Sequence, residues 1–290
     1  MINMLKAELF RLVKDKSFWI VIIVAAAAAL LFSAMFYLLE SMALSMEAEL
    51  AELGMTPADV NFTAGDLIMS VIGLGNMGIF AAIAIGLYNG KDFDQNTLRN
   101  KITAGNSREA IYFSTLIVNM LMYAAIFVVL VLSAFAFGSL ILGFEFYSMI
   151  GLDLLVSFII GAAFVCIITF ISFATKKSST ILVIGILSAV ILTTISEYIT
   201  NEYGNALGAH IYGGGPDNFA ALEWISRINL FSLNTLTSLA SALTEMQVSG
   251  IMGYGAYAGW LYANIAITSL VWGGGFVAGG LLLAKKTDIK

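Results

Sequence analysis

The sequence predicts an all-α polytopic membrane protein with six transmembrane helices, and three observations carry that prediction. Hydrophobic residues make up 60% of the 290 residues and charged residues only 11%, where a soluble domain carries about a quarter charged residues. Six apolar stretches, near 17–39, 66–89, 109–139, 150–174, 179–200 and 258–284, reach the roughly 20 residues that a hydrocarbon core requires. Thirteen of the fourteen Lys and Arg residues fall in four clusters between or beside these stretches: Lys6/Arg11/Lys14/Lys16, Lys91/Arg99/Lys101/Arg108, Lys176/Lys177 and Lys285/Lys286/Lys290. Basic residues in short loops stay on the cytoplasmic side. Two stretches separate each cluster from the next, so all four can share one side. The chain then forms a single transmembrane domain over 1–290 with both termini cytoplasmic.

Acidic residues fit the same orientation. Glu40, Asp66, Asp153, Glu197, Glu223 and Glu245 all fall on the outer side or at outer span ends. The net charge of −5 therefore describes an acidic outer surface above a basic inner one and excludes a basic nucleic-acid binder. Cys166, the only cysteine, rules out an internal disulfide and reads as a packed hydrophobe in the fourth span. No cleavable signal peptide is expected.

Residues 1–16 read as an amphipathic helix. Ile2, Leu5, Leu9, Phe10, Leu12 and Val13 share one arc, and Glu8, Arg11, Lys14 and Asp15 the other. This is the pattern of an interfacial helix with its basic face toward lipid headgroups and Trp19 at headgroup depth. The alternative is a cytoplasmic extension of the first span. Residues 40–65 form an outer acidic loop, with a short helix over 40–53 ended by Gly54 and Pro57. The third span exceeds the bilayer thickness and is expected to tilt or project. In the outer loop 201–257, residues 204–218 read as irregular and 219–246 as amphipathic helices.

The cytoplasmic loop 90–108 is the most informative segment. Asp94 or Asn96 can cap a short helix running through Thr103. Gly105 is a natural stop, free to take positive φ. Ser107 can cap the third span. Leu98 and Ile102 give the short helix one apolar edge, with Lys and Arg over the rest. Such a helix, tied at both ends to spans, suits a cytoplasmic partner that must push on them. A solvated loop with ordinary positive-inside charge is the competing reading.

With that loop in view, the whole chain resembles a membrane subunit of the type 2 ABC exporters. The family is similar in having an interfacial amino-terminal helix, six spans, a coupling helix between the second and third, and outer helices before the last. The loop resembles the family pattern at Asp92 or Asp94, Thr97, Gly105, Ser107 and Arg108, and departs from it where Asn96 replaces a frequent Gly. The resemblance implies a dimer of membrane subunits, or a pair with a second related chain, resting on ATPase domains in a bacterial plasma membrane. It implies ATPase coupling through Asp94, Thr97, Leu98, Arg99, Lys101, Ile102 and Arg108, within a docking segment over 94–104. The chain has no phosphate-binding loop of its own, so ATP and Mg would belong to a separate ATPase subunit. The small size looks like the groups that export, or give immunity to, amphipathic peptides such as bacteriocins and toxins.

Other constellations read as structural. Gly73 to Gly78 spells G-x-G-x-x-G inside an apolar span with no strand before it, so close helix approach is the better reading than a dinucleotide site. Gly255/Gly259 and Gly275/Gly279 have the same small-xxx-small spacing. His210, the only histidine, cannot make a zinc site alone. Asn76, Asn119 and Asn264 lie inside spans, either as interhelical hydrogen-bond formers or as lining of a substrate path. No ionisable residue sits at a span centre, and no nucleophile–base pair is visible, so the chain itself is not expected to be an enzyme. The function expected is ATP-driven export of amphipathic or hydrophobic cargo. An ATP-independent carrier or channel, or a structural membrane subunit, are the alternatives.

Overall fold

The computed structural model describes residues 2–52, 62–95, 97–144, 150–211 and 254–286. Among them are nine helices and no strand: α1 (Ile2–Lys14), α2 (Lys16–Glu52), α3 (Ala64–Ile72), α4 (Leu74–Asp94), α5 (Thr97–Thr103), α6 (Arg108–Ile141), α7 (Ile150–Thr175), α8 (Ser178–Ile211) and α9 (Tyr254–Lys286). Five helices are long and apolar enough to cross a membrane, six if the bent pair α3 and α4 counts as one span. The chain is a multi-pass membrane protein.

Local chemistry explains the helix limits. Asp15 separates α1 from α2, its carboxylate accepting from the Ser17 amide at 2.9 Å. Thr63 and Asp66 form a reciprocal capping box at the start of α3. Ser107 caps α6 by accepting from the Ala110 amide, and Gly105 ends α5 at φ +84°. The expected stop at Gly105 and cap at Ser107 are both present. Lys176, at φ 55°, turns the chain between α7 and α8.

Several expected boundaries change. The segment after residue 39 is no separate helix, because α2 runs unbroken to Glu52. Helix α8 continues to Ile211, through residues 204–211 read as irregular, and so places His210 on a helix. The segments 219–246, Gly54 and Pro57 lie outside the described residues. The largest correction is at the second span. Two helices bent by 48° replace a single rod over 66–89, and the inner one continues to Asp94. The break is Gly73, at φ −55° and ψ 143°. It frees carbonyls that an intact helix would use, and the Asn76 side-chain amide donates to one of them, Ser70 O, at 2.8 Å.

Helix α7 is the core of the bundle: 61% of its apolar window is buried, against 17–22% for the other single-helix spans. It packs on α9, α4 and α6, while α8 lies along α4 and α2 along α6. The α4–α8 seam is built on small residues. A Cβ on Gly75 would lie 3.3 Å from Thr193 Cγ2, one on Gly78 3.3 Å from Ala189 Cβ, and one on Gly86 2.7 Å from a Leu182 methyl. The G-x-G-x-x-G run is thus a break followed by a helix-packing surface. Gly275 has nothing near its would-be Cβ, and Gly279 meets Phe170 at 3.5 Å. Cys166 is buried, as its apolar reading required.

Candidate functional site

The final turns of α4 carry Tyr88 and Asp92 four residues apart, hence on one face. That face meets α1. The Arg11 guanidinium forks onto Asp92, with Nη1 on Oδ1 and Nη2 donating to Oδ2 at 3.0 Å. Its Nε donates to Tyr88 Oη at 3.0 Å while the guanidinium lies 4.2 Å from the Tyr88 ring centroid. From α5, Lys101 Nζ reaches Asp92 Oδ2 at 2.7 Å and Glu8 Oε1 at 2.6 Å. Glu8 also pairs with Arg11 at 2.9 Å and accepts from Tyr88 Oη at 2.8 Å. The Thr97 hydroxyl donates to Asp92 Oδ1 at 3.0 Å. Glu8 and Asp92 are 5% and 3% exposed. Two acids and two bases therefore make a neutral, buried network that fastens α1, α4 and α5 together.

A second pair extends this clamp to the start of α2. Lys91 Nζ lies 2.6 Å from Asp15 Oδ1 and 2.9 Å from Ser17 Oγ. Burial alone would push the Asp15 carboxyl up, but Lys91 and the Ser17 amide outweigh it and hold the group below its ordinary range. Burial would likewise weaken protonation of Arg11, yet Asp92 raises its affinity for the proton above the usual guanidinium value.

Helix α5 sits on this base with its apolar edge inward. Leu98 is 3% exposed and belongs to a cluster with Met4, Ile111, Tyr112, Phe173 and Ala284, with Ile102 packed at its margin. This corrects the use of Leu98 as a docking contact: it anchors α5 to its own bundle. Arg99, Asn100 and Thr103 remain on the open side, as does Asp94, which closes α4 and caps nothing in α5. Asp92, and not Asp94, is the acid that organises the loop. Asn96 lies outside the described residues. Arg108 donates to the Lys285 carbonyl at 3.1 Å and Glu109 pairs with Lys285 at 2.8 Å, tying the start of α6 to the end of α9.

The amphipathic reading of α1 also needs correction. Its Glu8 and Arg11 do not face headgroups but point into the bundle with Met4 and Leu12, whereas Phe10 and Val13 point out. Glu8, Tyr88 and Arg11 were not singled out as site residues from sequence. Their signal was present only as a buriable acid and base at i and i+3 on α1, and a Tyr and Asp at i and i+4 on α4.

The span asparagines lie on three different helices. Asn119 Nδ2 donates to Thr169 Oγ1 at 2.9 Å, joining α6 to α7 in the core. Asn76 caps the bend. Asn264 lies half-buried on α9, its carbonyl accepting from Thr268 at 2.8 Å. Replacing Asn119 with Ala should lower thermal stability in detergent by about 1 kcal/mol. Thr169→Val should cost less than this when added to that variant than when made alone.

No group of three or more potential metal ligands occurs among the described residues. The site holds helices together and leaves the Arg99, Asn100 and Thr103 edge of α5 open. No protein-family model matches this chain, and no curated protein matches it in sequence.

Proposed function

We propose that this chain is the transmembrane subunit of an ATP-driven exporter, powered by a separate ATPase that docks on α5. One observation carries the reading. A seven-residue helix with an open polar edge carrying Arg99 is clamped through buried charge to α1 and α4, and is joined by a capped turn to α6. A load applied to it reaches three helices without loss into a flexible loop. On this reading Arg99, Asn100 and Asp94 face the ATPase, Thr97, Leu98, Lys101 and Ile102 hold α5 in place, and Arg108 secures α6. ATP and Mg reside on the partner. The basic end of the bundle faces the cytoplasm of a bacterial plasma membrane, and a second membrane subunit, identical or related, completes the path. The apolar surfaces favour amphipathic or hydrophobic cargo such as antimicrobial or toxin peptides.

The break at Gly73 favours a second reading. Discontinuous helices mark the binding sites of many secondary carriers. Purification of the chain from its native membrane, with identification of bound proteins and an ATPase assay, separates the two. A stoichiometric ATPase stimulated by the chain supports the exporter; its absence supports the carrier or a structural subunit. Within the exporter reading, Arg99→Glu should reduce ATPase affinity by about tenfold or more, the scale of one lost charged contact, at unchanged thermal stability. Full binding by this variant would refute docking on α5.

A further inference from the structure

Helix α1 sorts its charges by side. Glu8, Arg11 and Asp15 turn inward and are neutralised by Asp92, Lys101 and Lys91. The outward residues are Asn3, Lys6, Ala7, Phe10, Val13 and Lys14, followed by Lys16 and Trp19 at the start of α2. These recur every three to four residues, so they form one stripe. Phe10 and Val13 are 64% and 61% exposed. Lys14 lies 4.2 Å over the Phe10 ring, and Trp19 Nε1 donates to Val13 O at 2.8 Å. The stripe carries three lysines and no acid. A segment whose sequence mixes both signs thus presents only positive charge outward, flanking an apolar ridge.

We infer that this stripe is a binding surface for anionic phospholipid headgroups. Charge complementarity names the occupant. The ridge of Phe10 and Val13 suits the acyl boundary, and Lys6, Lys14 and Lys16 suit phosphate beside it, with their stems along the ridge. A free polyanion would match the lysines but leave the apolar ridge in water. The inference does not depend on an ATPase.

The test uses the full chain with Cys166→Ala, and Ala7→Cys carrying a bimane fluorophore between Lys6 and Phe10. The protein is placed in phosphatidylcholine bilayers containing a minor fraction of either brominated phosphatidylglycerol or brominated phosphatidylcholine, whose bromines quench nearby fluorophores. One lysine near an anionic surface is enough for about fivefold enrichment of the charged lipid. Brominated phosphatidylglycerol should therefore quench as though about fivefold enriched or more. K6Q/K14Q/K16Q should abolish that excess, and about 1 M salt should do the same, the screening length there being about 3 Å. K285Q/K286Q, on a different helix, should leave it intact. The lysine substitutions and Ala7→Cys are at exposed sites, and circular dichroism checks that each variant, and the Cys166→Ala background they share, is folded. Equal quenching by the two lipids would overturn the inference. So would an excess that survives the triple substitution, or one lost equally in K285Q/K286Q, which would mean general attraction to the basic end of the bundle.

Discussion

Asp92→Asn should be the most destabilising conservative substitution in this protein. The change is nearly isosteric, so its effect isolates charge. It leaves Arg11 and Lys101 facing only Glu8, and Lys101 has a side chain just 14% exposed. Removing one partner of a buried pair costs about 3–5 kcal/mol, because the remaining charge cannot be rehydrated without opening the structure. Arg11 keeps more contact with water, which places the expectation at the lower end, about 3 kcal/mol. Thermal unfolding in mild detergent measures it. A partial rescue is expected from Lys101→Met in the Asp92→Asn background, since that removes one of the stranded cations; the two changes should therefore be strongly non-additive. Additive losses would mean that the four charges act as independent surface pairs. Limited proteolysis should show α1 released first, because its polar attachment to the bundle passes through this network and through Asp15.

The second large effect is expected on the glycine seam between α4 and α8. A Cβ on Gly90 would stand 2.8 Å from the Cα of Ser178, a backbone atom that cannot rotate away. Gly90→Ala should therefore push the helices apart, at a cost of about 1–3 kcal/mol. Gly78→Ala should be milder, since its nearest contacts of 3.2–3.3 Å are side-chain atoms. Gly275→Ala meets nothing within 4 Å and should be neutral, or stabilising by up to about 1 kcal/mol through helix propensity. The order of melting temperatures should be Gly275→Ala, then Gly78→Ala, then Gly90→Ala. An order set by position in the membrane, with no relation to these contacts, would show that the seam is loosely packed.

The spans were legible because hydrocarbon demands long apolar runs and charge marks their ends. Four of the six expected stretches, at 17–39, 109–139, 150–174 and 179–200, fall on single helices that pass the length and hydropathy tests, and 258–284 falls within α9. The α5 loop was legible as well, because Gly105 and Ser107 act through local backbone chemistry. The bend at Gly73 was not. Ile72 and Leu74 continue the hydropathy without a gap, and the backbone at Gly73 is one that any residue can adopt, so no residue type betrays it. The inward face of α1 was hidden for a different reason. Its partners Tyr88, Asp92 and Lys101 lie about eighty to ninety residues away, and a helical wheel drawn on α1 alone assigns every charge to water. The pairing of Asp92, and not Asp94, with Arg11 and Lys101 was hidden for the same cause: only the fold shows which of the two acids has bases beside it.

The central place of α7 bears on how the protein is made. Ala163, Cys166 and Phe170 recur along one face of α7, and that face is covered by Gly273, Phe276 and Gly279 of α9. Synthesis produces α7 about a hundred residues before this cover. The most buried helix of the finished protein must therefore wait in the bilayer with one side held by lipid, while α8 and the long segment after it are made. Lipid tolerates that side because it is apolar, and α9 then displaces the lipid instead of inserting beside a charge. Completion of the core is thus a late, post-insertion step, and a nascent chain halted before α9 is threaded through the membrane yet still unpacked.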